Sequence, residues 1–370
     1  MQLIDLQSQL HRLQPAINER INTVLSHGQF ILGPEVSELE AELAGYVGTE
    51  HCITCANGTD ALQIALMALD IGPGDIVFTT AFSFFATAEV IALVGATPYF
   101  VDIDKHTFNL CPESLASAIA AARQAGLKPK AVIAVDLFGL PADYPAISAI
   151  CKQHNLKLIE DGAQGFGGTI AGHKACSFGD IATTSFFPAK PLGCFGDGGA
   201  IFTANATLAE RCQSIRVHGK GSHKYENVRI GLNSRLDTLQ AAILLEKLSI
   251  FDQECISRQR NAAFLSEHLI SSIVTPHIPH TYSSAWAQYS IWHPEVPRET
   301  FLTHLSESNI PHAIYYPIPL NQQTALSQVP SVATPNSIAM SQRIFSIPTH
   351  AYLTAAELDL IVETLNGCLT

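Results

Sequence analysis

The amino-acid sequence predicts an α/β protein with a mostly parallel, mixed sheet flanked by helices, followed by a smaller α+β domain. Between residues 51 and 203, short apolar runs alternate with helical patterns, which is typical of parallel strands joined by helices. Most runs are continuously apolar, as expected for strands buried on both faces. After residue 250 prolines become frequent and the alternation weakens. We therefore predict a large domain over residues 1–250 and a small domain over residues 251–370.

The elements of the large domain begin with a helix over residues 7–26, where five aliphatic residues recur at helical spacing: Leu10, Leu13, Ile17, Ile21 and Val24. Strands are predicted at residues 52–56, 76–80, 98–103, 131–136, 156–161, 181–186 and 199–203. Helices are expected between the strands, for example over 59–69 and 141–154. A long amphipathic helix is expected over 235–251.

The small domain is predicted to contain short elements in a weaker βα pattern. These are the segment SAWAQYSIW at 284–292, a helix over 299–308, the segment HAIYYPI at 312–318 and a final helix over 354–366. Residues 321–340 are predicted to form a surface loop.

Composition narrows the class of protein. Of the 370 residues, 47% are hydrophobic and 15% are charged, which indicates a compact globular fold. The net charge of −12 argues against a nucleic-acid-binding surface. No apolar run has the length of a membrane span, and the N-terminal sequence lacks the pattern of a signal peptide. The nine scattered cysteines suit reduced thiols, so we predict a cytoplasmic protein.

Two cysteines, Cys52 and Cys55, form a C-x-x-C pair inside an apolar segment. No second pair accompanies them, so we interpret them as buried strand residues rather than as a redox or zinc pair. The histidines show no H-E-x-x-H spacing, and no metal site is expected.

Ligands of open α/β sheets bind where the strands end, and three features of the sequence fall there. The first is Asn57-Gly58-Thr59-Asp60, which follows the strand at 52–56. Gly58 allows backbone amides to approach an anion, and a helix N-terminus favours negative charge. Taken alone, the motif is more often a simple helix cap made by Asn57 or Thr59.

The other two features are Asp161 with Gln164, and Lys190 preceded by Ser185. An acid at a strand end either caps a turn or pairs with a ligand cation, and Gln164 either binds the same ligand or a loop backbone. Burial lowers the pKa of a lysine and frees its amine as a nucleophile, whereas a lysine that snorkels to the surface is the alternative. The prolines around Lys190 and the lack of other charges favour a rigid functional loop.

Together the three features match the requirements of pyridoxal 5′-phosphate (PLP). The helix N-terminus would hold the phosphate, and Asp161 would keep the ring nitrogen protonated. Lys190 would hold the aldehyde and move protons. Each signal is weak alone, and the ordered set is much stronger.

Five segments carry a resemblance to a known family: NGTDA at 57–61, ED at 160–161 with Gln164, SFFPAK at 185–190, GDGGA at 196–200 and GLNSRLD at 231–237. They resemble the DegT/StrS family of nucleotide-sugar aminotransferases, which are fold type I PLP enzymes. The resemblance extends over nearly the whole chain, from residues 4–6 to residues 348–350.

The resemblance implies that Lys190 is the catalytic Schiff-base lysine, that Asp161 is the partner of the pyridinium nitrogen, and that Gln164 lies near the phenolic oxygen. One departure is Gly162, where the family usually has alanine, serine or cysteine, which removes a contact under the ring. Relatives that dehydrate their substrate have histidine in place of Lys190, so dehydration is disfavoured.

The resemblance also implies a set of further cofactor contacts. Ligands of the phosphate are implied at Gly58, Thr59 and Ser185. Phe84 is implied to stack on the pyridine ring, with a plain core phenylalanine as the alternative reading, and its neighbours Phe82 and Phe85 are the other candidates for this position. Asn233 is implied to reach the phosphate of the neighbouring subunit's cofactor, which would make the protein a homodimer with sites at its interface.

On the substrate side, the resemblance implies that glutamate gives its amino group to a keto sugar carried on a nucleotide. A cationic strip at 216–235 suits such a polyanion, with a solvated loop as the alternative: Arg216, Lys220, Lys224, Arg229 and Arg235. Substrate contacts are expected from Arg229, Tyr315, Tyr316 and His350. Histidine is expected at position 315, so Tyr315 bears on the choice of sugar.

The acceptor implied by the resemblance is the C3 keto group of a UDP-linked 2-acetamido-2-deoxy-3-oxo-glucuronate, in the synthesis of surface-polysaccharide precursors. A 4-keto UDP-sugar or a dTDP-linked 3-keto-6-deoxyhexose is the alternative among enzymes. The alternative of another class is a regulatory protein that binds PLP without turnover.

Overall fold

The computed structural model describes residues 1–223 and 225–369. Its α-helices are α1 Leu6–His27, α2 Pro34–Val47, α3 Gly58–Ala68, α4 Ala86–Leu93, α5 Pro112–Gln124, α6 Tyr144–His154, α7 Ala206–Ile215, α8 Thr238–His268, α9 Arg298–Glu307, α10 Pro335–Arg343 and α11 Ala355–Gly367. Its strands are β1 His51–Cys55, β2 Asp75–Thr80, β3 Thr97–Val101, β4 Lys128–Val135, β5 Lys157–Asp161, β6 Thr169–Ile170, β7 His173–Lys174, β8 Ile181–Ser185, β9 Gly199–Thr203, β10 Tyr282–Ser283, β11 Tyr289–Ile291 and β12 Phe345–Ile347. Over the described ranges, no helix combines the length and apolarity needed to cross a membrane.

A seven-stranded sheet forms the centre of the molecule, in the order β1-β9-β8-β5-β4-β2-β3. Strand β9 runs antiparallel to both of its neighbours, and the remaining pairs are parallel. Each of the seven strands overlaps one of the predicted apolar runs, although β4 begins three residues earlier than predicted. The predicted mostly parallel sheet is confirmed. The pair Cys52 and Cys55 lies in β1 with both thiols free and buried, as expected of strand residues.

Helices cover both faces of this sheet, which explains why most of its strand residues are buried and apolar. Alternate strand residues such as Ile53, Ile133 and Ile201 pack against α3, α4 and α7 on one face. Their neighbours point to the other face, where Phe202 packs with α2 and α8, and Phe78 packs with α5 and α6. The parallel strands therefore direct their carboxyl ends to one common edge.

The C-terminal part of the chain packs around a small antiparallel sheet of β11 and β12. Helix α8 continues to His268 instead of ending at residue 251, because its second half packs with this region. The proposed boundary at residues 250–251 therefore lies within one continuous helix. The prediction of a loop over 321–340 is wrong in its second part, since α10 begins at Pro335. The segment 312–318 forms only an isolated bridge from Ala313 to Ser346.

Candidate active site

The register of the sheet brings Ser185 and Gly58 together. Ser185 at the end of β8 lies opposite Gly199, which in turn lies opposite Cys55 at the end of β1. The chain that follows Cys55 therefore passes beside Ser185. A Cβ atom on Gly58 would lie 2.6 Å from the Cβ of Ser185, so the close approach requires glycine.

The N-terminus of α3 forms the floor of this corner. Asn57 caps the helix, because its Oδ1 accepts a hydrogen bond of 2.8 Å from the N–H of Asp60. Among the described residues, no hydrogen bond reaches the N–H groups of Gly58 and Thr59. The helix cap and the anion site are therefore compatible: Asn57 fixes the helix start, and two N–H donors remain at its positive end.

Asp161 ends β5 at the same edge and is buried. Its Oδ2 accepts a hydrogen bond of 2.8 Å from Thr87, and its Oδ1 accepts one of 3.2 Å from the N–H of Ala163. Burial raises the pKa of Asp161, while the Thr87 hydrogen bond and the charge of Lys190 oppose that rise. A ligand cation beside Asp161 would compensate the buried charge.

Two further acids lie behind Asp161, and sequence reasoning missed their role. Asp136 follows β4 and donates its backbone N–H to the carbonyl of Asp161 at 3.0 Å. Both Asp136 and Glu160 are fully buried. Burial raises the pKa of both carboxyl groups, that of Asp136 to about 7. The position of Asp136 at the end of an apolar run was a signal of the same kind as that of Asp161.

Lys190 lies in a turn beyond β8, where its backbone N–H donates to the carbonyl of Phe187 at 2.8 Å. Its side chain is half-buried. Removal from water lowers the pKa of Lys190, and the negative charge of Asp161 partly opposes this. The turn therefore holds an amine with increased nucleophilic character close to the buried acid.

Gln164 and two aromatic rings complete this edge. The Oε1 atom of Gln164 accepts a hydrogen bond of 2.8 Å from the N–H of Phe138, and its Nε2 donates one of 3.1 Å to the hydroxyl of Tyr316. The ring of Phe84 is 54% exposed and lies 6.4 Å from the ring of Tyr316, whereas Phe82 is fully buried. Of these two phenylalanines, Phe84 is the one whose ring remains open to a ligand.

A solvent-open cleft adjoins Lys190, and Tyr315 and His350 line it. The ring nitrogens of His350 are both engaged within the chain, with the carbonyl of Gln2 at 3.1 Å and the N–H of Tyr352 at 3.3 Å. Three lining residues that sequence reasoning missed are Arg258, Gln288 and Thr349. They come from three separate segments, of which only the one with Thr349 lies in a stretch that carries the resemblance.

The cationic strip does not line this cleft as a unit. Arg216 is buried in an ion pair with Glu40, which makes it a structural residue. Arg229 is partly exposed, and Asn233 is exposed with its Oδ1 accepting a hydrogen bond from Arg235. Lys224 lies outside the described residues. The structure thus brings Lys190, Tyr315 and His350 together and leaves Arg229 and Asn233 away from that lining.

This edge of the sheet fits PLP. The space kept free by Gly58, the N–H groups at the start of α3 and the hydroxyl of Ser185 suit a phosphate. Asp161 and Lys190 occupy the same edge and interact electrostatically. An α/β sheet with this set of groups defines a PLP-dependent enzyme.

The chain belongs to the DegT/DnrJ/EryC1/StrS aminotransferase family, whose model matches residues 11–366. It is a PLP-dependent aminotransferase, as the resemblance implied. A relative from Pseudomonas aeruginosa, UDP-2-acetamido-2-deoxy-3-oxo-D-glucuronate aminotransferase, is 46% identical over 99% of this chain and 100% of its own length. UDP-N-acetyl-3-dehydro-alpha-D-glucosamine 3-aminotransferase from Acidithiobacillus ferrooxidans is 38% identical over 99% of this chain and 97% of its own.

A solved structure from the same family is also similar. The crystal structure of a DegT DnrJ EryC1 StrS aminotransferase from Brucella abortus superposes with a TM-score of 0.97 and 49% sequence identity, and the match covers 99% of each chain. The α/β architecture predicted from the sequence is therefore that of sugar aminotransferases.

Proposed function

We propose that this enzyme transfers an amino group from glutamate to the C3 keto group of a UDP-linked 2-acetamido-2-deoxy-3-oxo-glucuronate. The observation that carries the proposal is the 46% identity over the full length of the Pseudomonas aeruginosa relative. The second relative, also named for amination at C3 of a UDP-sugar, supports the choice of C3 over C4. Such a product serves as a precursor of surface polysaccharide.

Lys190 is the proposed acid–base residue. Bound PLP withdraws electrons from the substrate carbon, which makes a proton on that carbon acidic. Lys190 takes this proton in the half-reaction with glutamate and returns a proton in the half-reaction with the sugar. Burial lowers the pKa of Lys190, which favours the neutral amine that accepts a proton. Glutamate leaves as 2-oxoglutarate before the sugar binds, so the kinetics are ping-pong.

The remaining site residues hold the cofactor and the sugar. Asp161 would stabilise the protonated ring nitrogen, and Gln164 would interact with the phenolic oxygen. Gly58, Thr59 and Ser185 would bind the phosphate, and Phe84 would contact the ring. Tyr315, Tyr316 and His350 are assigned to the substrate side, and Arg229 to the carboxylate of the sugar.

We also propose a homodimer in which Asn233 serves the neighbouring subunit's site. Asn233 is exposed within its own chain. Two phenylalanines on either side of Lys190 in the sequence, Phe187 and Phe195, are 52% and 38% exposed. Large apolar side chains exposed beside a site suit a surface that is covered by another subunit.

The acceptor is tested by incubating the holoenzyme with glutamate and a panel of nucleotide keto-sugars, with 2-oxoglutarate release as the measurement. The 3-oxo-glucuronate is expected to be aminated fastest. Faster release with a 4-keto UDP-sugar or a dTDP-linked 3-keto-6-deoxyhexose would replace the proposed acceptor. A PLP-binding regulatory protein would fail even the half-reaction with glutamate.

The assignment of Lys190 is tested by borohydride reduction of the yellow holoenzyme followed by peptide mapping. The label is expected on the peptide that contains Lys190. Lys190→Ala is expected to retain PLP through its phosphate and to lose transamination. A label on any other lysine would show that the assignment is wrong.

A further inference from the structure

The cleft beside Lys190 contains polar groups that the reaction described above does not use. It is lined by residues 3–4, 189–191, 286–288 and 346–350, together with Arg258 of α8. Three of the lining residues each carry a buried polar atom without a hydrogen-bond partner among the described residues: Arg258 Nη1, Gln288 Oε1 and Thr349 Oγ1. Buried polar groups are nearly always hydrogen-bonded in folded proteins, so three such atoms around one cleft indicate a ligand site.

Arg258 gives the cleft a positive charge. Its side chain is only 12% exposed, and its Nη2 donates a hydrogen bond of 3.1 Å to the carbonyl of Pro191, the residue next to Lys190. Arg258 is therefore fixed in the lining of the same cleft as Lys190. Its planar guanidinium matches the geometry of a carboxylate.

Arg258 forms an ion pair with Glu254, which lies outside the cleft. Glu254 lies 3.6 Å away, which is longer than a hydrogen bond. The carboxylate oxygens of Glu254 accept hydrogen bonds of 3.0 and 2.9 Å from Gln9 and a further one from Tyr352. Glu254 is not among the residues that line the cleft, so the cation lies inside and its partner outside.

The other two residues supply neutral donors. Thr349 is 4% exposed, and its hydroxyl is free to donate. Rotation of the carboxamide of Gln288 by half a turn presents its NH₂ in place of its oxygen. A charged guanidinium with a hydroxyl and an amide is a donor set for a carboxylate rather than for a cation.

We infer that Arg258, Gln288 and Thr349 form a subsite for the distal carboxylate of the amino donor. The inference rests on the proposed use of glutamate. The distal carboxylate of glutamate is three bonds from the carbon that reacts near Lys190, and the subsite adjoins that lysine through Pro191. The carboxylate of the 3-oxo-glucuronate is also three bonds from its reacting carbon, so it is the second possible source of the same chemistry.

The subsite is tested first by equilibrium binding without turnover. The probe is glutarate, titrated into the holoenzyme and followed by the absorbance of the bound cofactor. Arg258→Gln is expected to weaken binding roughly 100-fold and Thr349→Val roughly 10-fold, as for lost hydrogen bonds to a charged group. The matched control is Arg260→Gln, an exposed arginine two positions further along α8, which is expected to bind as wild type does.

Thr349→Val keeps the test valid if Arg258→Gln folds poorly, because it retains the shape of the side chain and removes a hydroxyl that has no hydrogen-bond partner among the described residues. Circular dichroism and cofactor content establish the fold of each variant. Unchanged affinity for glutarate in both folded variants would overturn the subsite.

A second experiment separates the two sources of carboxylate. The rate of the first half-reaction is measured with glutamate and with alanine, which lacks a distal carboxylate. The rate of the second half-reaction is measured with the 3-oxo-glucuronate. The expected result is that Arg258→Gln loses the preference for glutamate over alanine. A loss confined to the sugar half-reaction would overturn the assignment to the donor. If wild type binds glutarate but aminates none of the keto-sugars, the proposed acceptor fails and the subsite stands.

Discussion

The carboxylate of Asp161 is held by Thr87 and by the backbone of Ala163, which fixes its orientation before any ligand binds. Burial by itself would favour the neutral acid, and the nearby charge of Lys190 favours the anion. A protonated ring nitrogen would add a second positive partner and shift this balance further to the anion. The residue is therefore prepared to bind a cation that the protein itself does not supply.

Replacing Asp161 by asparagine is expected to lower turnover by at least about 100-fold, because an amide does not keep the ring nitrogen protonated. Asparagine has nearly the same shape and can still accept the hydrogen bond from Thr87, so the fold should change little. Single-turnover kinetics with glutamate measure the effect, and circular dichroism provides the control. Near-normal turnover would remove Asp161 from the mechanism.

The site residues that the sequence predicts lie at positions marked by a local strand pattern, and the site residues that it does not predict have no such mark. Lys190 and Asp161 each end or follow an apolar run, so a strand pattern alone locates them. Arg258, Gln288 and Thr349 lie in three distant segments, and only tertiary packing brings them to one cleft. No local pattern distinguishes Arg258 from Arg260 two residues later.

At the scale of elements, the strands were predictable because a strand covered on both faces is apolar throughout. Helix α10 was not, since its stabilisation comes from a distant residue. The carboxylate of Asp102 accepts hydrogen bonds of 3.0 and 2.9 Å from the N–H groups of Asn336 and Ser337 in its first turn. The local helix signal is limited to Thr334 followed by Pro335, and the side chain of Thr334 makes no capping hydrogen bond.

The ends of β4 and β5 also bring two buried acids together, Asp136 and Glu160. Their burial makes the stability of the fold depend on pH. The pKa of Asp136 is about 7 in the folded protein, against 3.8 for an ordinary aspartate. The folded state therefore retains a proton that the unfolded chain has released between those values. Wild type loses stability as pH rises through this window, by about 1.4 kcal/mol for each pH unit over which the two states differ by one proton.

Asp136→Asn removes this titration while keeping an acceptor for the hydroxyl of Tyr144, which donates at 2.7 Å. The free energy of unfolding of the variant, relative to wild type, is expected to increase as pH rises from about 4 to about 7. Denaturant unfolding across that range measures it. The control is Asp359→Asn at an exposed position, whose free energy of unfolding should change with pH as that of wild type does. If the free energy of unfolding of Asp136→Asn also changes with pH as that of wild type does, the prediction is wrong.

At the scale of the whole molecule, helix α8 links the sheet to the C-terminal region. It packs with α1 and α2 near its start and contributes Asn261, which donates a hydrogen bond of 2.9 Å to the carbonyl of His350, near its end. Arg258 lies in the same stretch of helix. The cleft beside Lys190 is thus formed by residues from both parts of the chain, and neither part alone would contain it.

The proposed dimer predicts complementation between two inactive variants. Lys190→Ala removes the amine from its own site, and Asn233→Asp places a negative charge near the neighbouring subunit's phosphate. After subunit exchange, half of the dimers are mixed, and each has one of its two sites intact. Activity is expected to recover to about a quarter of wild type.

Exchange must be shown independently, for example by mass spectrometry of isotope-labelled subunits, and each variant alone must be nearly inactive. As a control, each variant alone is taken through the same exchange procedure. Verified exchange without recovery would mean that Asn233 does not act across the interface.

The close packing beside Gly162 couples the effects of substitutions at positions 162 and 176. A Cβ atom there would lie 2.6 Å from the sulfur of Cys176 and 3.1 Å from the carbonyl oxygen of Thr183, so Cys176 fills the volume that a side chain at 162 would need. An evolutionary path to alanine at 162 would therefore begin with Cys176→Ala. Thermal unfolding of both single variants and the double variant should show favourable coupling of about 0.5–3 kcal/mol, and strict additivity would mean that either mutational order is open.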